Sequence, residues 1–271
     1  MNFLIKGWLH HKNSIGIELM KANGFNFFKQ NNESIDWLMY TDKFIETNFD
    51  KVIFGPHLFP GKHTRSKKAS HLYNSLSPIN KKLCEELAPE LNCVPLPFPV
   101  DVNKFIPKKK NGKPVLYFKN RDRKILEDFL SCNFDNFLIF DYNRKYREQD
   151  FLQVISSAPY AVWIGRHESQ GFAFQETLSC NTPIFCINVK STREETGNTI
   201  WKKMDRNLKL PASSATYFGE KCGLLSNPQS FKDDWSVFHR NIKNYSSREF
   251  IVQELSSEAC CDKWLKILSK F

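Results

Sequence analysis

A chain of 271 residues, 41% hydrophobic and carrying 24 Phe, has core material for two small α/β domains or one large one. No run of eighteen apolar residues occurs, which excludes a membrane-spanning helix, and the opening MNFLIKGWLHHK has too short an apolar stretch for a secretory signal. The net charge of +10 favours anionic partners and sits mostly in residues 1–113, with seventeen Lys/Arg against ten Asp/Glu, while residues 114–271 hold twenty-two against nineteen.

In the first half, short apolar runs alternate with helical patterns. Residues 2–5 are an expected strand and residues 7–13 the loop after it. Ser14 is placed to N-cap a helix running to about Asn23, with Ile15, Ile17, Leu19 and Met20 on its apolar face and Gly24 as its stop. Residues 25–28, 37–40 and 52–54 are further strands, the last leading into Gly55-Pro56-His57. Residues 73–76 are another, followed by Ser77 as an N-cap and Pro78 at the first position of a helix that Leu83 and Leu87 continue. This order predicts a parallel sheet.

The second half repeats the alternation. Residues 108–113 read as a solvated linker. Residues 115–118 are a strand, 119–124 a polar turn, and a helix follows to about Leu130. Residues 137–140 are a strand, 141–147 a loop and 149–157 a helix. Then comes YAVWIGRHESQGFAFQETLSCNTPIFCIN, residues 160–188. It reads as a strand (160–164), a polar loop with a glycine at each end (165–171), a helix (172–180) turning Phe172, Ala173 and Leu178 to a core, a stop at Asn181-Thr182-Pro183, and a buried strand (184–187). Residues 188–215 are irregular and polar, a candidate mobile loop. Residues 222–225 lead to a helix from about 231 to 242, and residues 248–271 are helical with a break at Ser256.

The eight cysteines lack C-x-x-C spacing and read as reduced packing residues of a cytoplasmic chain, with Cys260-Cys261 half on a core and half on a surface. The seven histidines lack ligand spacing, so no metal site is expected. The basic clusters at 62–68 and 104–113 lack the interleaved aromatics of a nucleic-acid groove.

Two carboxylates, Glu168 and Glu176, stand eight residues apart, one on the loop and one in the helix. The run Glu168-Ser169-Gln170-Gly171 with Glu176-Thr177-Leu178-Ser179-Cys180-Asn181-Thr182-Pro183-Ile184-Phe185 resembles the Glu-x7-Glu signature of family 4-like GT-B glycosyltransferases. That signature is close to E-S-F-G-x-x-x-x-E-A-M-A-C-G-x-P-V-I, and Asn181 stands in place of its Gly, which αL geometry permits. The wording is most similar to small glycosyltransferases of large DNA viruses. Residues 73–107 resemble the end of the N-terminal domain of such enzymes, with Phe98-Pro99-Val100-Asp101-Val102-Asn103-Lys104-Phe105-Ile106-Pro107 matching N-G-V-D-x-x-x-F-x-P except that Phe-Pro replaces Asn-Gly. The resemblance covers residues 73–271, and residues 1–72 in outline.

It implies an α/β chain of the GT-B fold: two Rossmann-like domains facing each other across a cleft. Residues 1–107 would bind the acceptor, 108–113 link, 114–255 bind the nucleotide sugar, and 256–271 form a C-terminal helix closing back. The implied activity moves a sugar from a UDP- or GDP-sugar to a glycan or other hydroxyl acceptor, with retention. Glu168 would touch the transferred sugar near the reacting centre and Glu176 the ribose hydroxyls. Ser169, Gln170 and Gly171 would line the donor, with His167 flanking, and Tyr142 and Asn143 stand where the family reads the base. His10, His11, Asn13 and Ser14, on the first βα loop, would face the acceptor; His57 would join them or simply serve its turn.

A departing diphosphate needs a metal on Asp-x-Asp, or cations with backbone N–H groups. The chain contains no Asp-x-Asp, so metal-independent chemistry with no cofactor beyond the donor is expected. Lys119, Arg121 and Arg123 follow the first strand of the second half, where such sheets bind phosphate. By resemblance the diphosphate clamp falls there, with Arg121 first, Lys119 second and Arg123 third; spacing does not decide among them. Two alternatives stay open: a sugar-nucleotide epimerase of the same fold, and a basic nucleic-acid-binding protein. The 62–68 loop offers a contact for an anionic acceptor or a membrane surface.

Overall fold

The computed structural model describes residues 1–30, 34–57, 68–133, 135–144, 146–196 and 210–271. The chain divides into two units, residues 1–101 with 254–271 and residues 102–253. Residues 102–107 therefore lie with the second unit and the terminal helix with the first.

In the first unit β1 (Asn2–Lys6), β2 (Asn26–Phe28), β3 (Trp37–Tyr40), β4 (Val52–Phe54), β5 (His71–Asn74) and β6 (Asn92–Val94) pair in parallel, in the order β2-β1-β3-β4-β5-β6. Strands β4 and β5 are buried along their whole length, as parallel strands covered on both faces must be. Helix α1 (His11–Lys21) joins β1 to β2, and α2 (Pro78–Leu87), capped by Ser77 as expected, joins β5 to β6. The terminal helix α8 (Ser257–Leu268) docks on this unit: Ser257 Oγ donates to the Leu19 carbonyl at 2.7 Å, and Trp264 Nε1 donates to the Pro97 carbonyl at 2.8 Å.

In the second unit β7 (Val115–Phe118), β8 (Leu138–Asp141), β9 (Ala161–Ile164), β10 (Ile184–Ile187) and β11 (Gly223–Ser226) form another parallel sheet, in the order β11-β10-β9-β7-β8. Helices α3 (Arg123–Ser131), α4 (Glu148–Ser157), α5 (Phe172–Ser179) and α6 (Phe231–Asn241) connect or follow its strands, and α7 (Ser247–Leu255) comes next. Asn181 holds φ +52, the αL backbone its place after α5 requires. Arg248, on α7, donates to the carbonyls of Phe105 (2.8 Å), Ser179 (2.9 Å) and Val102 (2.9 Å), tying residues 102–105 to the end of α5.

Several local expectations are corrected. Helix α1 starts one turn early: His10 is the N-cap, its Nδ1 accepting the Lys12 N–H at 3.3 Å, and Ser14 lies inside the helix. Strand β5 stops at Asn74, whose Oδ1 accepts the N–H groups of Leu76 (2.8 Å) and Leu96 (3.1 Å) and leaves Leu76 at φ +67. Helix α5 turns Phe174 rather than Phe172 or Ala173 into the core, because it is enclosed from Phe174 to Ser179. Cys260 and Cys261 are both buried. In the 108–113 stretch residues 108, 109 and 111–113 are exposed, and Lys110 alone is drawn inward: its Nζ donates to the carbonyls of Ser156 (3.2 Å) and Cys180 (2.8 Å) and to Thr182 Oγ1 (2.6 Å), and burial pulls its ammonium down to about 8. Of the polar stretch 188–215, residues 210 and 212–215 are buried; residues 197–209 lie outside the described residues, as do residues 62–67 of the first basic cluster. Among the described residues no helix is long and apolar enough to cross a membrane.

Candidate functional site

The second sheet places β7 between β8 and β9, so the chain leaves β7 to one side and returns on the other. The C-terminal ends of β7 and β9 mark the switch point where open α/β sheets bind ligands. Lys119 directly follows β7, and the loop from Gly165 to Gly171 directly follows β9.

Lys119 Nζ and Glu168 Oε1 meet there at 2.5 Å, with side chains 10% and 18% exposed. The same ammonium lies 4.3 Å from the centroid of the Tyr142 ring, which is largely exposed just after β8. Asn143 is exposed beside it, its N–H donating to Asp141 Oδ1 at 3.0 Å. Lys119, Glu168 and Tyr142 are thus one cluster. Gly171 opens α5 at φ +79, a conformation a side chain resists, and a Cβ there would meet Glu168 Cβ at 3.4 Å. Glu176 is buried in α5, and Ser169 is the exposed residue of the loop.

The three candidate cations take different places. Arg121 is buried; its Nη1 donates to the carbonyls of Gly165 (3.1 Å) and Ile187 (3.3 Å), and its Nη2 pairs with Glu194 at 3.2 Å. It braces the ends of β9 and β10 from inside. Arg123 is exposed at the start of α3 and pairs with Asp141 at 3.4 Å. Lys119 is the cation at the loop that carries Glu168.

His167 and Gln170 turn inward. The His167 N–H donates to Glu195 Oε1 at 2.9 Å, and its Nδ1 accepts the Ser213 N–H at 3.2 Å. The Gln170 carbonyl accepts from Gln175 Nε2 and Thr216 Oγ1. Glu168 N–H donates to the Ser213 carbonyl at 3.0 Å, so Ser213 and Thr216 hold the loop backbone from behind. Burial pushes the His167 imidazole down to about 4 and the Glu195 carboxyl up to about 7. Sequence reasoning missed Glu195: it sits in Thr-Arg-Glu-Glu within a polar stretch, and nothing local marks the second glutamate as buried.

In the first unit the sheet order has its own switch point at β1 and β3. The His10 N–H donates to His57 Nε2 at 2.9 Å, and the His10 and His11 rings lie 4.3 Å apart. Desolvation lowers His57 from its usual value, with neighbouring His10 adding to the fall. Asn13 is buried with Nδ2 lacking a hydrogen-bond partner among the described residues, and Ser14 Oγ returns to the His10 carbonyl at 3.4 Å. These five candidate acceptor residues thus lie on the first turn of α1 and on the turn after β4. Among the described residues, no three His, Cys, Asp or Glu side chains converge as metal ligands.

No known sequence family matches the chain, and no characterised protein matches it in sequence. Its fold has counterparts among solved structures. The S. aureus TarM mutant solved with Fondaparinux, alpha-GlcNAc-glycerol and UDP superposes with TM-score 0.54 at 11% identity, over 86% of this chain. The chain spans little more than half, 55%, of that structure's length. The apo lipopolysaccharide outer core galactosyltransferase WaaB superposes with TM-score 0.53 at 10% identity over 100% of this chain and 99% of that one. Sucrose-phosphate synthase from Thermosynechococcus elongatus superposes with TM-score 0.51 at 12% identity, over 87% of this chain and 73% of that one. The chain has the two-sheet GT-B fold of these glycosyltransferases.

Proposed function

We propose that the chain is a glycosyltransferase that moves a sugar from a nucleotide-diphosphate sugar to a glycan or other hydroxyl acceptor, without a metal and with retention. The observation that carries this reading is the Lys119–Glu168 pair at the switch point of the second sheet, beside Tyr142 and the αL glycine that opens α5. The GT-B fold and the UDP of the TarM complex support a nucleotide-sugar donor, with UDP the first base to test.

In this reading Glu176 accepts hydrogen bonds from the ribose hydroxyls, Tyr142 and Asn143 lie along the base, and the exposed backbone at Ser169 faces the phosphates. Lys119 exchanges Glu168 for the diphosphate, where its charge stabilises the leaving group. The C1–O bond breaks with its electron pair going to the diphosphate oxygen, the acceptor oxygen bonds to C1 on the same face, and its proton passes to the departing diphosphate. Glu168, released from Lys119, contacts the transferred sugar. Arg121 acts as a brace of the loop rather than as the diphosphate clamp, because its guanidinium is enclosed by protein acceptors. His10, His11 and His57 belong to acceptor binding.

The test is thermal shift and donor hydrolysis with UDP-, GDP- and dTDP-sugars in the presence of EDTA. One donor class should raise the melting temperature by several degrees and release free sugar slowly, and Glu176→Ala should lose both. No response to any donor, together with nucleic-acid binding that weakens steeply with salt, would assign the chain to the nucleic-acid-binding class instead.

A further inference from the structure

At 59% exposure Trp8 is the most exposed large hydrophobic side chain among the described residues. It follows β1 through Gly7, which holds φ +105 and packs so tightly that an added Cβ would fall 2.2 Å from Asp42 Oδ1. The chain therefore turns sharply here. The indole is also backed by fixed groups: the His57 ring lies 4.9 Å away, its Nε2 accepts the His10 backbone N–H, and the His57 backbone N–H donates to the Thr41 carbonyl at 2.8 Å. An exposed indole held this way is pre-organised for a ligand rather than free to fold back on the surface.

Beside it opens a pocket of about 360 Å³. That volume is near the lower end of the range for ligand pockets, roughly 300–1,000 Å³. Trp8, Ile17, Phe27 and Phe28 give it apolar surface. Ser14, the Glu18–Lys21 ion pair (2.8 Å) and Lys29 give it hydrogen-bonding groups. The Lys21 and Glu18 side chains stay 42% and 68% exposed, so hydroxyls can reach them at the rim, and a phosphate would meet the Glu18 carboxylate. A pyranose ring fits both halves: its C–H face covers an aromatic ring while its hydroxyls reach donors and acceptors at the edge.

We propose that Trp8 is a sugar-stacking platform and that this pocket takes the terminal pyranose ring of a glycan acceptor. The assignment of that ring to an acceptor rests on the glycosyltransferase reading above; the binding of a pyranose to Trp8 does not.

The experiment is saturation-transfer NMR on the full chain with the methyl glycosides of glucose, galactose, mannose and N-acetylglucosamine, alongside octyl phosphate as an apolar anionic probe. UDP binding is followed on the same samples by thermal shift. At least one glycoside should receive saturation. Trp8→Ala should weaken its binding about tenfold, the size of a lost aromatic stacking contact, and Trp8→Phe should retain most of it. Unfolding midpoints of both variants check that the fold persists. No saturation of any glycoside, or equal binding to Trp8→Ala, overturns the proposal. Trp8-dependent binding of octyl phosphate alone also overturns it and gives the pocket to an apolar aglycone. Failure of UDP to bind counts against the donor site and leaves the pyranose result to be judged by itself.

Discussion

Lys119 Nζ and Glu168 Oε1 lie 2.5 Å apart, one residue past β7 and four residues past β9. The two strands are neighbours in a parallel sheet, so their ends emerge side by side although the residues are 49 apart in sequence. The pair is largely shielded from water, and each charge depends on the other until an anionic ligand takes the ammonium. Lys119→Met should lower turnover by about 10²-fold, the scale of losing one charge-stabilising donor. Steady-state kinetics with the donor identified by thermal shift checks this. Unchanged turnover would pass the diphosphate role to Arg123.

Arg121 should behave differently. Replacing it with Leu removes the Glu194 ion pair and the guanidinium donor to the Gly165 and Ile187 carbonyls. The half-exposed Glu194 carboxylate is rehydrated, so the main loss is that of a buried donor to the two carbonyls, about 1–3 kcal/mol, and thermal unfolding should show a lowered midpoint. A variant of wild-type stability with turnover abolished would return Arg121 to the role of diphosphate clamp.

Gly171→Ala places a side chain at φ +79 and a Cβ 3.4 Å from Glu168 Cβ. The αL conformation costs a non-glycine residue roughly 1–2 kcal/mol. Chemical denaturation should report a loss of that size, and donor affinity should fall as Glu168 is displaced. A loss of stability with donor affinity intact would mean that Glu168 makes no contact with the donor.

The buried pair at the back of the loop gives opposite pH slopes. The Glu195 carboxyl rises from 4.5 to about 7 in the folded chain, so its contribution is full below pH 4.5 and is lost as pH rises toward 7. The His167 imidazole falls from 6.5 to about 4, so its contribution is full above pH 6.5 and is lost as pH falls toward 4. Glu195→Gln should therefore gain stability relative to wild type as pH rises from 4.5 to 7. His167→Gln should gain relative to wild type as pH falls from 6.5 to 4. Urea midpoints measured across pH 4–7.5 test both, and parallel curves for wild type and variants would refute the assignment.

The parallel architecture was legible in the sequence because fully buried strands such as Val52–Phe54 and Ile184–Ile187 must be continuous apolar runs, and because turn residues such as Ser77-Pro78 and Asn181 act on their immediate neighbours. The sequence also put Glu168 and Lys119 at strand ends, since each follows such a run. It could not show that Lys119, rather than Arg121, carries the charge beside Glu168. Both are cations after the same strand, and only the packing of β9 and β10 encloses the Arg121 guanidinium among carbonyls. Nor could it show that Glu195 is buried behind His167, or that Trp8 stays exposed while Phe25 and Phe27 stack on Phe3. Local propensity and apolar period act over a few residues, so they fixed the elements; burial depends on what other segments bring up against a side chain, and that was decided only when the sheets formed.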